Sequence, residues 1–246
     1  MGRPMKNPDY DPDRIQKELI ELAVQLHQKE YSYRNIAAEL ELSVSKVIKL
    51  LITAGEYTSD ICNQINRLYD SGKSIPEIQV ELEVSRATVQ AYLPYKKGIY
   101  NAKESSLNAE RINVFRSRQH AVSELADDMN EDKLWNAVIA FQNYPFHTAT
   151  GLPFVYELKK GRSGEYNKEL IVSRRKESKT VVWSSVRLAF QKAEELQGEV
   201  IDRPKALGDI RGISYIYPML FRFGVIEVPE KIAMKMELRG PLPKRP

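Results

Sequence analysis

The chain has 246 residues, of which 42% are apolar and 28% charged, with a formal net charge of +4. That is length for two or three small domains with cores of their own, and a mild lean toward anionic partners. The single cysteine, Cys62, excludes an internal disulfide framework and a cysteine-based zinc site, no run reaches the apolar length of a membrane span, and the polar N-terminus lacks the pattern of a secretory signal, so a cytoplasmic protein without membrane, metal or cofactor is expected.

Residues 1–12 read as a flexible basic arm. Over residues 13–29, Ile15, Leu19, Leu22, Ala23 and Leu26 recur at helical spacing. Ser32 is suited to cap a short helix over 33–40. Glu41-Leu42-Ser43 interrupts it, and a third helix over 44–53 is stopped by Gly55. The plan then repeats. "SIPEIQVELEVSRATVQAYL" lies over "SYRNIAAELELSVSKVIKLL" at a constant offset of 42 residues, with Ser, Ile, Glu-Leu-Glu, Ser, Val and Leu in register. The inward set of the first copy is Ile36, Leu40, Leu42, Val47 and Leu50; that of the second is Ile78, Leu82, Val84, Val89 and Tyr92. Gln79 replaces the small Ala37, which predicts looser packing in the second copy, and Glu41 and Glu83 stand where such turns often carry glycine. Units over 13–57 and 58–103 are expected.

Helix, helix, tight turn, helix is the plan of a helix-turn-helix domain. Both copies resemble the homeodomain-like three-helix units of bacterial transcription factors, resolvases and transposases, and the promoter-reading domain of sigma factors. The pairing is similar to the bipartite DNA-binding regions of transposases and paired-box proteins. "SIPEIQVELEVSRATVQAYLPYKKGIYN", "FQNYPFHTATGLPF" and "SYIYPMLFRFGVI" also resemble stretches of a group of bacterial helix-turn-helix proteins, a likeness that brings no activity with it.

In such units the third helix enters the major groove and its first residues meet base edges. Carried onto this chain, the resemblance puts Ser43, Val44, Ser45 and Lys46, then Ser85, Arg86, Ala87, Thr88 and Gln90, at the bases. Arg86 suits guanine O6 and N7, Gln90 suits adenine, and Val44 and Ala87 suit the methyl of thymine or of a modified cytosine. Lys49, and Lys46 as an alternative to its base contact, are placed on phosphates, with solvated surface as the plainer reading of both. Two linked readers in successive major grooves, ~34 Å apart, would recognise an asymmetric bipartite site. The function so implied is sequence-specific binding of double-stranded DNA by a nucleoid-associated transcriptional regulator.

Pro94 ends the second recognition helix, and Tyr95, Lys96 and Lys97 follow as phosphate contacts or as an ordinary basic turn. "MGRP" resembles the core of an AT-hook, which implies a minor-groove role for Arg3. Over 104–131 a long linker helix is expected. Its stripe of Ile112, Phe115, Val122, Ala126 and Met129, with Gln119 in one gap, suits either the seam of a homodimer or a face packed on the C-terminal domain. Arg111, Arg116 and Arg118 fall off that stripe, open to DNA or solvent.

Residues 132–239 read as a small α+β domain and 240–246 as a tail. "LWNAVIAFQN" is an apolar helix, "FVYELKK" and "KELIVSR" alternate as the strands of a hairpin, and Ser184 or Ser185 is placed to cap a helix. "SYIYPMLFRFG" is a further apolar helix, "VIEV" a short strand resembling the end of winged-helix domains, and an amphipathic segment begins at Pro229. Arg174, Arg175, Lys176 and Lys179 form a basic run suited to a nucleic-acid backbone. The competing class is a magnesium-dependent nuclease or mobile-element enzyme, for which Glu157 and Lys159 match half of a metal site. The preceding segment supplies no second carboxylate, His27, His120 and His147 do not cluster, and no catalytic residue is assigned.

Overall fold

A computed structural model describes residues 11–96, 102–162, 164–173 and 178–237. The chain divides into two compact units, the first running to Asn113 and the second spanning Val114–Arg239. Eleven α-helices and a four-stranded sheet occur among the described residues, and none of those helices is long and apolar enough to cross a membrane.

The first unit opens with α1 (Pro12–Gln28), α2 (Tyr33–Glu39) and α3 (Val44–Ala54). Each start has a chemical reason. The Asp11 carboxylate accepts from the amides of Asp13 and Arg14, Ser32 Oγ from Asn35 N at 3.2 Å, and Ser43 Oγ from Lys46 N at 3.3 Å. Gly55 ends α3 in the left-handed conformation, φ 79°. Leu19, Ala23, Ile36, Leu40, Val47, Leu50 and Leu51 are fully buried, as their spacing requires.

The plan recurs in α4 (Asp60–Asp70), α5 (Ile75–Leu82) and α6 (Arg86–Tyr92). Both α2–α3 and α5–α6 turn through a glutamate in the left-handed region, Glu41 at φ 53° and Glu83 at φ 52°. The turn therefore forms twice without the glycine that adopts it most easily. The second core is smaller: Ile65, Ile78, Val89 and Leu93 are buried, with Ile61, Leu68, Tyr69, Leu82, Val84 and Tyr92 half-covered around them. Ala37 is buried between helices while its counterpart Gln79 is only half-buried.

Helix α7 (Ala102–Asp127) contains the division between the units, so its last part belongs with the C-terminal core, where Ala121 and Leu125 are buried. Its buried face corrects the expected stripe. Asn108, Ile112, Phe115, Arg118, Ala121 and Leu125 are the buried positions, whereas Gln119 and Ala126 are exposed. Arg118 is 1% exposed, not open to solvent. Its Nε donates to the Ala140 carbonyl at 3.3 Å, and its guanidinium lies over the rings of Phe141 and Tyr144. Arg222 reaches the same two rings and donates to the Tyr144 hydroxyl at 3.2 Å. Aromatic faces accommodate a desolvated guanidinium, which a hydropathy pattern cannot register.

The second unit continues with α8 (Glu131–Ala140) and an antiparallel meander of β1 (Phe146–His147), β2 (Pro153–Lys160), β3 (Tyr166–Ser173) and β4 (Ser178–Val182). Then come α9 (Trp183–Glu195), a 3-10 turn at Pro204–Leu207, α10 (Ile213–Arg222) and α11 (Glu230–Met236). The inner sheet face, Tyr156, Leu158, Leu170, Val172 and Val181, is part of one core with Val138, Phe190 and Ile216. Tyr156 donates its hydroxyl to the Val138 carbonyl at 2.7 Å, and full burial pushes that hydroxyl well above its ordinary pKa. Gly212, φ 84°, is required twice over, since a Cβ there would meet Val181 Cγ2 at 2.8 Å.

Two expectations for this unit are corrected. Helix α9 begins at Trp183 behind Val182, so neither Ser184 nor Ser185 caps it. "VIEV" forms no strand, only an isolated bridge between Val200 and Glu227. The likeness to a winged-helix ending therefore lapses.

Candidate functional site

The outward face of α6 is the accessible surface that the repeat builds. Ser85, Arg86, Ala87, Gln90 and Ala91 are all exposed on a helix whose opposite side is pinned by buried Val89. Ser85 Oγ accepts from the Thr88 amide at 3.1 Å and shares a hydrogen bond with Thr88 Oγ1 at 2.9 Å. The serine hydroxyl thus sets the start of the helix, and Thr88 is half-buried beside it. Arg86, Ala87 and Gln90 carry the free-standing chemistry of this face: a planar fork, a methyl and an amide.

The same positions of α3 are surrounded differently. Only Ser43, Val44 and Ser45 at its start are exposed, together with Ala54 at its end. Lys46 is half-buried and donates from Nζ to Asn108 Oδ1 at 3.2 Å. Asn108, at the first unit's end of α7, is itself 1% exposed and also accepts from Arg111 at 3.0 Å. Ile48 is half-buried and Ile52 buried. The expectation that Lys46 lies open for base edges is therefore corrected: its amine is committed within the unit.

Lys49 is half-buried as well and engaged within the unit. Its Nζ donates to the main-chain oxygen of Gln90 at 2.6 Å and sits 4.8 Å from the centroid of the Tyr95 ring. Burial lowers its pKa below the ordinary lysine value. One turn further along α3, Thr53 Oγ1 donates to Lys49 O at 2.7 Å and accepts from Tyr95 N at 3.0 Å. The end of α6 is held from α4 as well, where Asn66 Nδ2 donates to Tyr92 O at 3.1 Å. Helix ends leave carbonyls without internal partners. Here those of Gln90 and Tyr92 are taken by side chains of two other helices.

This contact fixes the separation of the third helices. Five residues of α3 and four of α6 span only ~14 Å at ~1.5 Å per residue. Val44 and Arg86, with a single lysine side chain between those segments, cannot then stand a helical turn of DNA apart, ~34 Å. The two helix starts are therefore closer together than the expected placement in successive major grooves requires.

Of the flanking cations, Lys96 is exposed and lies 4.2 Å from the Tyr69 ring centroid, and Tyr95 is half-buried. Lys179 is exposed on β4. Arg3, Lys97, Arg174, Arg175 and Lys176 lie outside the described residues. Glu157 and Lys159 share the exposed face of β2, where Lys159 pairs with Glu169 at 3.1 Å. Among the described residues no three His, Cys, Asp or Glu side chains gather as a metal site.

Thr53, Asn66 and Asn108 also contribute contacts here, and no motif in the sequence contains them as site residues. One signal existed for the first: Thr53 and Tyr95 are 42 residues apart and hold equivalent places in the repeat. Nothing in the pattern marks Asn66 or Asn108. No protein-family profile, curated protein or solved structure matches the chain.

Proposed function

We propose that the protein binds double-stranded DNA sequence-specifically through tandem helix-turn-helix units, as a transcriptional regulator, with α6 as the principal reading helix. The observation that carries this reading is the exposed face of α6, formed by Ser85, Arg86, Ala87, Gln90 and Ala91, on a compact three-helix scaffold. Arg86 supplies a bidentate partner for guanine and Gln90 one for adenine, while Ala87 suits a pyrimidine methyl. Lys96 supplies phosphate contact at the end of the helix, and Ser43, Val44 and Ser45 extend the same footprint from the start of α3. The net charge of +4 favours a polyanion without fixing a sequence.

Selection of bound duplexes from a random pool tests the reading. Enrichment of a short motif is the expected outcome. Failure to enrich any sequence contradicts it, and magnesium-dependent cutting of the pool assigns the chain to the nuclease class.

A further inference from the structure

The contact between α3 and α6 gives the first copy a role of its own. We infer that Lys49 and Thr53 are positioning residues: α3 braces the end of α6, and the first copy serves recognition chiefly by aiming the second. This rests on the reading of α6 as a DNA-contacting helix.

Three observations support the brace. Lys49 Nζ occupies the Gln90 carbonyl at 2.6 Å, one of the last carbonyls of α6. A cation at the C-terminal end of a helix also opposes its negative dipole end. Thr53 Oγ1 receives the Tyr95 amide at 3.0 Å, which pins the chain where it leaves α6. The threonine is preset for this, because its own proton goes to Lys49 O at 2.7 Å and leaves lone pairs for the incoming amide. Helix α6 spans only Arg86–Tyr92, and its unit contains a small core. Helices this short are marginal alone, so tertiary contacts set their direction.

The alternative role for Lys49 is a phosphate contact, and the two roles separate in one experiment. Lys49→Met keeps the apolar stem and removes the ammonium; Thr53→Val keeps the shape and removes the acceptor. Affinity of the full chain is measured on the best selected duplex and on random duplex, across a salt series, with Lys49→Arg as the conservative variant. The expected result for the double variant is a loss of about tenfold on the best site, with random-duplex affinity within about twofold and the salt slope unchanged. Lys49→Arg recovers most of the loss, since a guanidinium also reaches a carbonyl. A loss shared equally by both duplexes, with the slope shallower by about 0.9, makes Lys49 a phosphate contact and overturns the brace. An unchanged ratio between the duplexes overturns it too.

Amide exchange read on the same proteins is independent of DNA. Faster exchange at Tyr95 and the end of α6, with α1 to α3 unchanged, is expected. Unaltered protection there removes the brace even if DNA is bound. If the double variant unfolds, Thr53→Val alone is read by the same criteria. Wild-type protein that selects no sequence while its Tyr95 amide stays protected by Thr53 overturns the DNA reading rather than the contact.

Discussion

Helices α3 and α6 are cut from one pattern, 42 residues apart, yet one is enclosed and the other open. The difference lies on a single flank. Where α3 carries Ile48, Lys49 and Ile52, α6 and its exit carry Gln90, Ala91 and Pro94. An apolar flank with one long cation suits a covered helix, and a polar or small flank suits an exposed one. Duplication of a motif therefore does not imply duplication of its use. In this chain the copies have diverged in their surroundings, and the divergence is written outside the register that the two copies share.

The largest expected effect tests how separately the copies stand. Ile36 and Ile78 are equivalent and both fully buried. Replacing either by alanine should cost ~2–5 kcal/mol. Ile78→Ala should abolish sequence reading while the amides of α1 remain protected, because the second core is small and α6 depends on it. Thermal unfolding with residue-resolved exchange checks this, and simultaneous loss of protection in α1 and α5 would make the copies one cooperative unit.

Next in size is the contrast between Arg86 and Val44, equivalent positions at the starts of the third helices. Arg86→Ala should cost ~1–3 kcal/mol on the best site and relax the preference at one base pair. Val44→Ala, although Val44 is 37% exposed, should stay within ~0.5 kcal/mol. Titrations of the selected site and its single-base variants measure both. Equal losses would return α3 to the rank of an independent reader.

Lys96 and Lys49 form the third contrast. Lys96→Ala should weaken binding to every sequence alike and make the salt slope shallower by about 0.9, because Lys96 is exposed beside the end of α6. A slope that does not move assigns the Lys96 ammonium to the Tyr69 ring alone.

The smallest effect concerns acid. Helix α5 begins with the Ser74 amide and hydroxyl both donating to the Glu77 carboxylate, at 2.7 and 2.6 Å. Those bonds hold Glu77 below the usual carboxylate pKa of 4.5. A carboxyl whose folded pKa is depressed adds stability above its unfolded pKa, and that stability disappears as pH falls through the folded value. The first copy has Asn35 at the equivalent place. Acidification below about pH 4.5 should therefore speed exchange at the start of α5 more than at the start of α2, and Glu77→Gln should abolish the difference. An identical acid response in both helices would show that Glu77 does not cap.

Much of this architecture was legible in the sequence. The serine caps at Ser32, Ser43 and Ser85, the stop at Gly55 and the apolar registers of both copies define helices by local chemistry, and local chemistry is what a sequence displays. The exposed face of α6 follows from the same registers. The contact between α3 and α6 does not, because Lys49 meets Gln90 through a main-chain oxygen, and any residue at position 90 presents that oxygen equally. The burial of Arg118 is hidden from the sequence for a related reason: it depends on Phe141, Tyr144 and Ala140, which only the tertiary fold brings to it. Strands β1 and β4 are short, with too few residues to display a period.

The most direct measurement is parallel selection of bound duplexes by the wild-type chain and by Arg86→Gln, with the full motif determined for each. One contiguous block is expected from the wild type, and the variant should change a single position within it while the remainder persists. Two blocks separated by a full turn of the duplex, or a motif indifferent to residue 86, would contradict a single reading helix aimed by its enclosed twin.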